Sequence, residues 1–332
     1  MPRLCVIPGD GIGREVVPAA VEVLGRAIAG LETVEAEAGW ACFQKHGVSV
    51  PEPTLAVIRD CGAALFGAVQ SPARKVEGYR SAIITIRQAL DLYSNIRPVQ
   101  TWPRVSPRAG IDMLIVRENT EGLYAGRERI EGETAIAERV ITKNASRRIG
   151  ERAFGLACSG GRKRVTIVHK ANVLPLTDGL FRDTVREVAA KYAAEGCAVE
   201  VDELLVDTAA MKMVADPGSF DVVVTTNLFG DILSDAAAPW GGGMGLAPSL
   251  NWGDTAAVAE PVHGSAPDIA GKGIANPIAA ILSGAMLARY VWSCPDEADR
   301  IERAVGAALE AGAGEAGMRT DAIRDHVIAH LG

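Results

Sequence analysis

Three things are missing from this chain, and each absence removes a class of function. It has no excess of positive charge: 34 Lys and Arg stand against 41 Asp and Glu in 332 residues, a net charge of −7. A phosphate backbone requires a basic footprint, so no nucleic-acid partner is expected. It has no apolar run of the ~20 residues that a membrane-spanning helix needs, so no membrane partner is expected. Met1-Pro-Arg-Leu-Cys-Val-Ile enters strand-like sequence directly, without the pattern of a secretory leader. Finally, Cys5, Cys42, Cys61, Cys158, Cys197 and Cys294 lack CxxC or CxH spacing. That argues for reduced thiols in a cytoplasmic protein, not a zinc site or a disulfide framework. Repeats and low-complexity linkers are also absent.

What remains is ordinary globular composition, 48% hydrophobic and 23% charged, in a chain long enough for two domains. Strand-like runs (4–7, 63–69, 112–116, 165–169, 199–206, 222–226) alternate with helical ones (146–157, 180–194, 277–290, 298–311), which gives an α/β fold. Val16, Val17, Ala20, Val23, Leu24, Ala27 and Ile28 form the apolar stripe of a first helix. The Pro-rich stretch 98–110 and Gly241-Gly-Gly-Met-Gly245 are candidate domain crossings, and two crossings leave one domain discontinuous. Residues 125–142 alternate charged and apolar groups, as an exposed hairpin or an arm reaching a partner subunit would.

Gly9-Asp-Gly-Ile-Gly13 follows a strand and opens a helix, but the third glycine of the dinucleotide fingerprint is Arg14. An ordinary Rossmann fold is therefore not expected. Asn227-Leu-Phe-Gly-Asp-Ile-Leu-Ser-Asp235 places Asp231 and Asp235 four residues apart, on one helical face after a strand. Two hard carboxylates there suit a divalent cation such as Mg²⁺, and no Lys or Arg stands nearby in sequence to satisfy them. Asp207, at another strand end, is a candidate third ligand. Arg87, Arg97 and Arg117 together suggest a polyanionic small molecule, since a guanidinium fork matches a carboxylate. Tyr124 closes Arg117-Glu-Asn-Thr-Glu-Gly-Leu-Tyr124. Lys170 of His169-Lys-Ala-Asn172 sits at a strand end where ligands bind, and partial burial would suit it to proton transfer. The loop His263-Gly-Ser-Ala-Pro-Asp-Ile-Ala-Gly-Lys-Gly-Ile-Ala-Asn276 is small enough for a flat cofactor to approach its backbone. Asp268 there favours a free ribose hydroxyl over a 2′-phosphate.

In this order, these motifs resemble the β-decarboxylating dehydrogenases (isocitrate, 3-isopropylmalate, homoisocitrate and tartrate dehydrogenases) over nearly the whole chain. The resemblance implies the isocitrate/isopropylmalate dehydrogenase-like two-domain α/β fold. Residues 1–98 plus 241–332 would form an NAD-binding domain. Residues 99–240 would form a substrate, metal and dimerisation domain, with the arm near 125–142 and an active site in the cleft. It implies a homodimer or tetramer with shared sites, Lys170 and Asp207 coming from the neighbouring subunit. Asp207, Asp231 and Asp235 would hold Mg²⁺ or Mn²⁺. The substrate, a 2-hydroxy di- or tricarboxylate, would meet Ser71, Ile84, Arg87, Arg97, Arg117, Tyr124, Lys170 and Asn172. NAD would meet Ile12, Val69, Gln70, Ser71, Asn172, His263, Gly264, Ser265, Ala266, Pro267, Asp268 and Asn276. The implied chemistry is proton removal from the 2-hydroxyl by Lys170, hydride transfer to NAD, loss of CO₂, and protonation of the enolate carbon by Tyr124. As a weak acid, Tyr124 would need help from nearby positive charge.

Ser71-Pro-Ala-Arg-Lys-Val-Glu-Gly-Tyr79 looks like the homoisocitrate branch of lysine biosynthesis, as does Glu35-Ala-Glu-Ala-Gly-Trp40 followed by Gly47-Val-Ser-Val-Pro51. Some bacterial members of that branch carry arginine where this chain has Ile84. An apolar Ile84 one turn before Arg87 should weaken isocitrate use and leaves room for 3-isopropylmalate; the alternative is a 3-isopropylmalate dehydrogenase, or a dual-substrate enzyme that also uses isocitrate. For homoisocitrate, Arg74, Lys75 or Arg80 would supply the positive charge missing at position 84. A non-catalytic regulatory subunit is a third reading, which the presence of Tyr124, Lys170 and all three acids disfavours.

Overall fold

Strands form where apolar and β-branched residues run without charge, and helices where they recur every three to four positions. The computed structural model describes every residue except Ala73, Lys75 and Ala316. Along the chain come β1 (Arg3–Gly9), α1 (Gly13–Ala27), β2 (Glu32–Glu35), α2 (Trp40–His46), α3 (Glu52–Cys61), β3 (Ala63–Ala68) and α4 (Ala82–Ala89). Then follow β4 (Ser94–Gln100), β5 (Asp112–Glu118), β6 (Glu128–Glu131), β7 (Thr134–Ala137), α5 (Lys143–Ser159), β8 (Arg164–His169), α6 (Thr177–Ala194), β9 (Glu200–Leu205), α7 (Val206–Ala215), β10 (Val222–Thr225) and α8 (Asn227–Ala237). Last are β11 (Pro248–Trp252), β12 (Ala257–Pro261), α9 (Ile278–Tyr290), α10 (Pro295–Glu310) and α11 (Thr320–Ala329). Among the described residues no helix is long and apolar enough to cross a membrane.

The chain forms two units. Unit 1 is Met1–Leu92, Trp102–Pro107 and Gly241–Gly332; unit 2 is Tyr93–Thr101 and Arg108–Trp240. The first crossing falls at Leu92, not at 98, because β4 pairs antiparallel with β5 from Ser94 opposite Glu118 to Gln100 opposite Asp112. Trp102–Pro107 returns to unit 1, where Arg104 Nη2 lies 2.8 Å from Glu315 Oε1.

In unit 1 the strand order is β2-β1-β3-β12-β11, parallel apart from the β11–β12 pair. The expected stripe of α1 is buried throughout. Helix α9 is buried on nearly every face, and α1 approaches it closely: a Cβ on Gly284 would lie 2.5 Å from Leu24 Cδ1.

In unit 2 the order is β4-β5-β10-β8-β9, with β4 antiparallel to the rest. Ile115, Val168, Met213, Val223 and Leu233 help form its core. Because β5, β10 and β8 are parallel neighbours, the segments leaving them emerge at one end of the sheet. That is where ligands bind in open α/β sheets. Those segments carry Tyr124, Asp231 with Asp235, and Lys170. Strands β6 and β7 form an exposed hairpin, with Ile130 79% exposed.

The expectation of six reduced thiols is overturned. Cys158 at the end of α5 and Cys197 beyond α6 form a disulfide, 39 residues apart in sequence. Spacing cannot reveal such a pair; it arises because α5 and α6 pack side by side. The other four cysteines are free.

Candidate active site

Helix α8 begins directly after β10, and its first turns present Asn227, Asp231, Ser234 and Asp235. The two acids do have basic partners, contrary to what the local sequence suggests. The partners come from neighbouring strands. Arg97 on β4 places Nη2 3.5 Å from Asp231 Oδ1 and Nη1 3.2 Å from Asp235 Oδ1. Arg117 on β5 donates through Nη1 to Asp231 Oδ1, and through Nε and Nη2 to Asn227 Oδ1 at 3.1 and 2.7 Å. Arg97 also donates to Asn95 Oδ1 at 2.7 Å and Ser234 Oγ at 2.6 Å. Both arginines are buried, Arg117 at 1% exposure. Burial, then repulsion from Asp231, pushes the Asp235 carboxyl up against the pull of Arg97. The acids thus converge on a shared guanidinium.

Tyr124 Oη donates to Asp231 Oδ2 at 2.6 Å, and the Arg117 guanidinium lies 5.2 Å from its ring centroid. Burial, with Asp231 adding to it, raises the Tyr124 pKa; Arg117 pulls the other way without winning. The positive charge expected beside Tyr124 is present but is outweighed.

Lys170 follows β8, its ammonium bonded to Asp207 Oδ1. That contact holds the exposed Asp207 carboxyl below its usual range. The Lys170 backbone N–H donates to Asp178 Oδ1 at 2.9 Å, and buried Asp178 pairs with Arg139 Nη1 at 2.9 Å. Arg139 also donates to Thr226 Oγ1 at 2.9 Å, at the start of α8. Asp178 and Arg139, which sequence reading missed, therefore tie the Lys170 segment to the helix of the acid pair. No sequence pattern marks either, because their pairing spans 39 residues. Asn172, also in unit 2, is exposed.

In unit 1 the Gly9–Gly13 turn and the 263–271 loop are docked together. Ile12 N–H donates to Ser265 O at 3.0 Å. Gly11 has φ +54, and a Cβ there would lie 2.1 Å from Ser265 O. These glycines therefore serve a backbone-to-backbone contact, which explains why the fingerprint spacing is not needed. Ile12 and Ser265 are buried, so they build the loop's support, whereas Gly264, Pro267 and Asp268 are exposed and Ala266 is half-buried. Asp10, also missed, anchors the turn: it accepts from Trp40 N at 2.7 Å, Ala41 N at 3.0 Å and Gln70 N at 3.0 Å. Val69 is half-buried and Ser71 exposed; Asn276 Oδ1 accepts from Ile278 N, the first residue of α9, at 3.0 Å. On α4, Arg87 Nη2 pairs with Glu260 Oε1 at 2.9 Å while its Nε is buried without a partner; Ile84 is half-buried one turn earlier. Of the candidate compensating charges, Arg74 is exposed, Arg80 donates to Gln88 Oε1 at 2.7 Å, and Lys75 lies outside the described residues.

The model of the isocitrate/isopropylmalate dehydrogenase family matches residues 3–327. The chain is 56% identical over 310 residues to an isocitrate/homoisocitrate dehydrogenase of Thermus thermophilus, covering 93% of this chain and 91% of that one. It is 48% identical over 318 residues to a 3-isopropylmalate/3-methylmalate dehydrogenase of Methanocaldococcus jannaschii, covering 94% and 92%. The crystal structure of isocitrate dehydrogenase from Methylococcus capsulatus superposes with a TM-score of 0.93 at 42% identity, covering 100% and 99% of the two chains. The chain belongs to the isocitrate/isopropylmalate dehydrogenase family.

The donor sets fit the groups that this family's chemistry requires. Asp231 and Asp235 offer only hard oxygen, converge on one cation of their own chain, and repel one another, which suits a divalent ion such as Mg²⁺ or Mn²⁺. Asp207 does not join them in one chain. Among the described residues no group of three potential ligands with atoms within 4.8 Å of one another includes these acids. For a nucleotide, His263 Nε2 is buried without a partner beside Gly264, above whose Cα there is open space. Burial holds the His263 pKa down, so the ring is neutral near pH 7.

Proposed function

We propose that the chain is an NAD-dependent homoisocitrate dehydrogenase. It would oxidise homoisocitrate at its 2-hydroxyl and release CO₂ to give 2-oxoadipate, in lysine biosynthesis. The observation that carries the reading is the convergence of Asp231 and Asp235 on Arg97, with Tyr124 and Arg117 bonded to the same Asp231. Asp231, Asp235 and a partner's copy of Asp207 would hold a divalent ion, which would supply the Lewis acidity that lowers the substrate hydroxyl pKa. The 263–268 loop and Asn276 would hold NAD, which would serve as the hydride acceptor.

The chain's own residues do the rest. The partner's copy of Lys170, which accompanies Asp207, takes the hydroxyl proton as the free amine. Arg97 and Arg117 exchange their acid partners for the substrate's carboxylates when those acids are otherwise engaged, and the unpartnered Nε of Arg87 offers a further donor. Tyr124 delivers a proton to the enolate carbon left by CO₂. Neutralising Asp231 removes one of the influences that raise the Tyr124 pKa, which makes the phenol a better acid.

Self-association is part of this reading. Leu176 (85% exposed), Met211 (61%), Val214 (63%) and Ile232 (55%) leave unit 2 with large apolar side chains in water, as does Ile130 on the hairpin. These suit a second copy of the chain.

The substrate assignment rests on the segment after Ser71 and on the likeness to the Thermus relative. The second reading, 3-isopropylmalate, is favoured by Ile84, which shares a face of α4 with Arg87. Measuring kcat/KM for homoisocitrate, 3-isopropylmalate and isocitrate decides between them. The proposal expects homoisocitrate to lead, and Ile84→Arg to shift preference further from 3-isopropylmalate, by about tenfold or more. A wild type that prefers 3-isopropylmalate would replace the assignment; an unchanged ratio in the variant would remove Ile84 from the specificity argument.

A further inference from the structure

We propose that Glu37, Cys42 and His46 form a second, independent metal site in unit 1, selective for a zinc-class divalent ion. Cys42 and His46 are four residues apart on α2 and so share a face. Glu37 approaches them from the segment between β2 and α2. One ligand atom from each lies within 4.8 Å of the others, and His46 Nε2 is 2.6 Å from Glu37 Oε1. A tetrahedral zinc ion with Zn–S near 2.3 Å and Zn–N and Zn–O near 2.0 Å holds its ligand atoms about 3.3–3.6 Å apart.

The backbone around all three ligands is already fixed. Thr54 Oγ1 donates to Glu37 O at 2.8 Å, and Gly39 N to Ser49 O at 2.9 Å. Asp10 caps α2 through Trp40 N and Ala41 N. Gly39 has φ +118, and a Cβ there would lie 2.5 Å from Asp10 Oδ2, so the turn into α2 admits only glycine. Such pinning lowers the ordering cost of binding. A cavity of about 360 Å³ borders Glu37 and Cys42, and a water from it would be the fourth ligand.

The donor chemistry sets the selectivity. Thiolate and imidazole favour zinc-class ions over Mg²⁺ or Ca²⁺, and the thiolate with the carboxylate neutralises a 2+ charge. Lys45 Nζ now lies 3.3 Å from Glu37 Oε1, but its side chain is 65% exposed and free to turn into solvent. Among the described residues no other group of His, Cys, Asp and Glu meets this spacing.

Co²⁺ is the probe, added to the full chain without reductant so that Cys158 and Cys197 stay bonded. The oxygen-only acid pair of α8 gives no sulfur-to-metal charge-transfer absorption; a Cys42-ligated ion does. The expected result is one Co²⁺ with that absorption, displaced by Zn²⁺, lost in Cys42→Ser, and weakened at least tenfold in affinity in Glu37→Gln and His46→Gln. The two latter positions are exposed, so their variants carry the test even where Cys42→Ser fails to fold. Absence of the absorption in the folded wild type, its survival in Cys42→Ser, or unchanged affinity in both surface variants overturns the site. None of these results bears on the dehydrogenase assignment.

Discussion

Gly230→Ala tests the architecture of the acid-bearing helix. In an exposed helix interior this substitution stabilises by about 1 kcal/mol, because alanine loses less backbone entropy. At position 230 a Cβ would lie 2.6 Å from Arg117 Cγ, 2.7 Å from its Cβ and 3.2 Å from its Cδ. Ordinary carbon contacts need about 3.5–4.0 Å, so something must move by about 1 Å. Arg117 has nowhere to go: it is 1% exposed, with its guanidinium bonded to Asn227 and Asp231. Overpacking of this kind costs about 1–3 kcal/mol. Set against the propensity gain, the expected net effect is destabilisation by about 1 kcal/mol. The larger effect is on function. Displacing α8 by about 1 Å moves Asp231 and Asp235 together, and misplacement on that scale costs about 100-fold in rate. The matched control is Gly25→Ala on α1, exposed and with no neighbouring atom within 4 Å, which is expected to stabilise. Denaturant unfolding and kcat/KM on both variants make the measurement. A Gly230→Ala protein that gains stability like the control and keeps full activity would refute the packing argument.

Two further predictions concern unit 2. Removing the Cys158–Cys197 bond with Cys158→Ser and Cys197→Ser should lower stability by about 4 kcal/mol, the loop-closure value for 39 residues; unchanged unfolding free energy with and without reductant would count against it. Glu121, half-buried and accepting from Thr142 N at 2.8 Å, is pushed by burial from 4.5 to about 7. An acid raised in the folded state contributes stability that is fully present below about pH 4.5 and is lost as pH rises through about 7. The stability difference between wild type and Glu121→Gln should therefore move against the wild type over that window, and a pH-independent difference would contradict the environment assigned to Glu121.

The α/β class was legible because β1, β3, β5, β8 and β10 are buried strands of small and β-branched residues with helices between them. Strand β4 was not, since Ser94, Asn95, Arg97 and Pro98 give no apolar alternation; it is a strand because β5 offers a partner along its whole length. The short helices α2, α3, α4 and α7 escaped because each buries only a few residues. At the site, the acid pair could be read from the four-residue spacing on α8. Its arginine partners could not, because ion pairs between residues 97 and 235, or 117 and 231, exist only after the strands align. The same reason hid Asp10, Asp178, Arg139 and the disulfide: each is defined by a contact remote in sequence.

The most direct test of the central claim is Mg²⁺-dependent NADH formation from homoisocitrate, 3-isopropylmalate and isocitrate by wild type, Asp231→Asn and Asp235→Asn. The account predicts NADH and CO₂ in equal amounts from at least one of the three acids with the wild type. It predicts loss of that activity on chelation of the metal, and a fall of at least 100-fold in each variant. Turnover that survives chelation and both substitutions, or no turnover of any acid by the folded, metal-supplied protein, would contradict it.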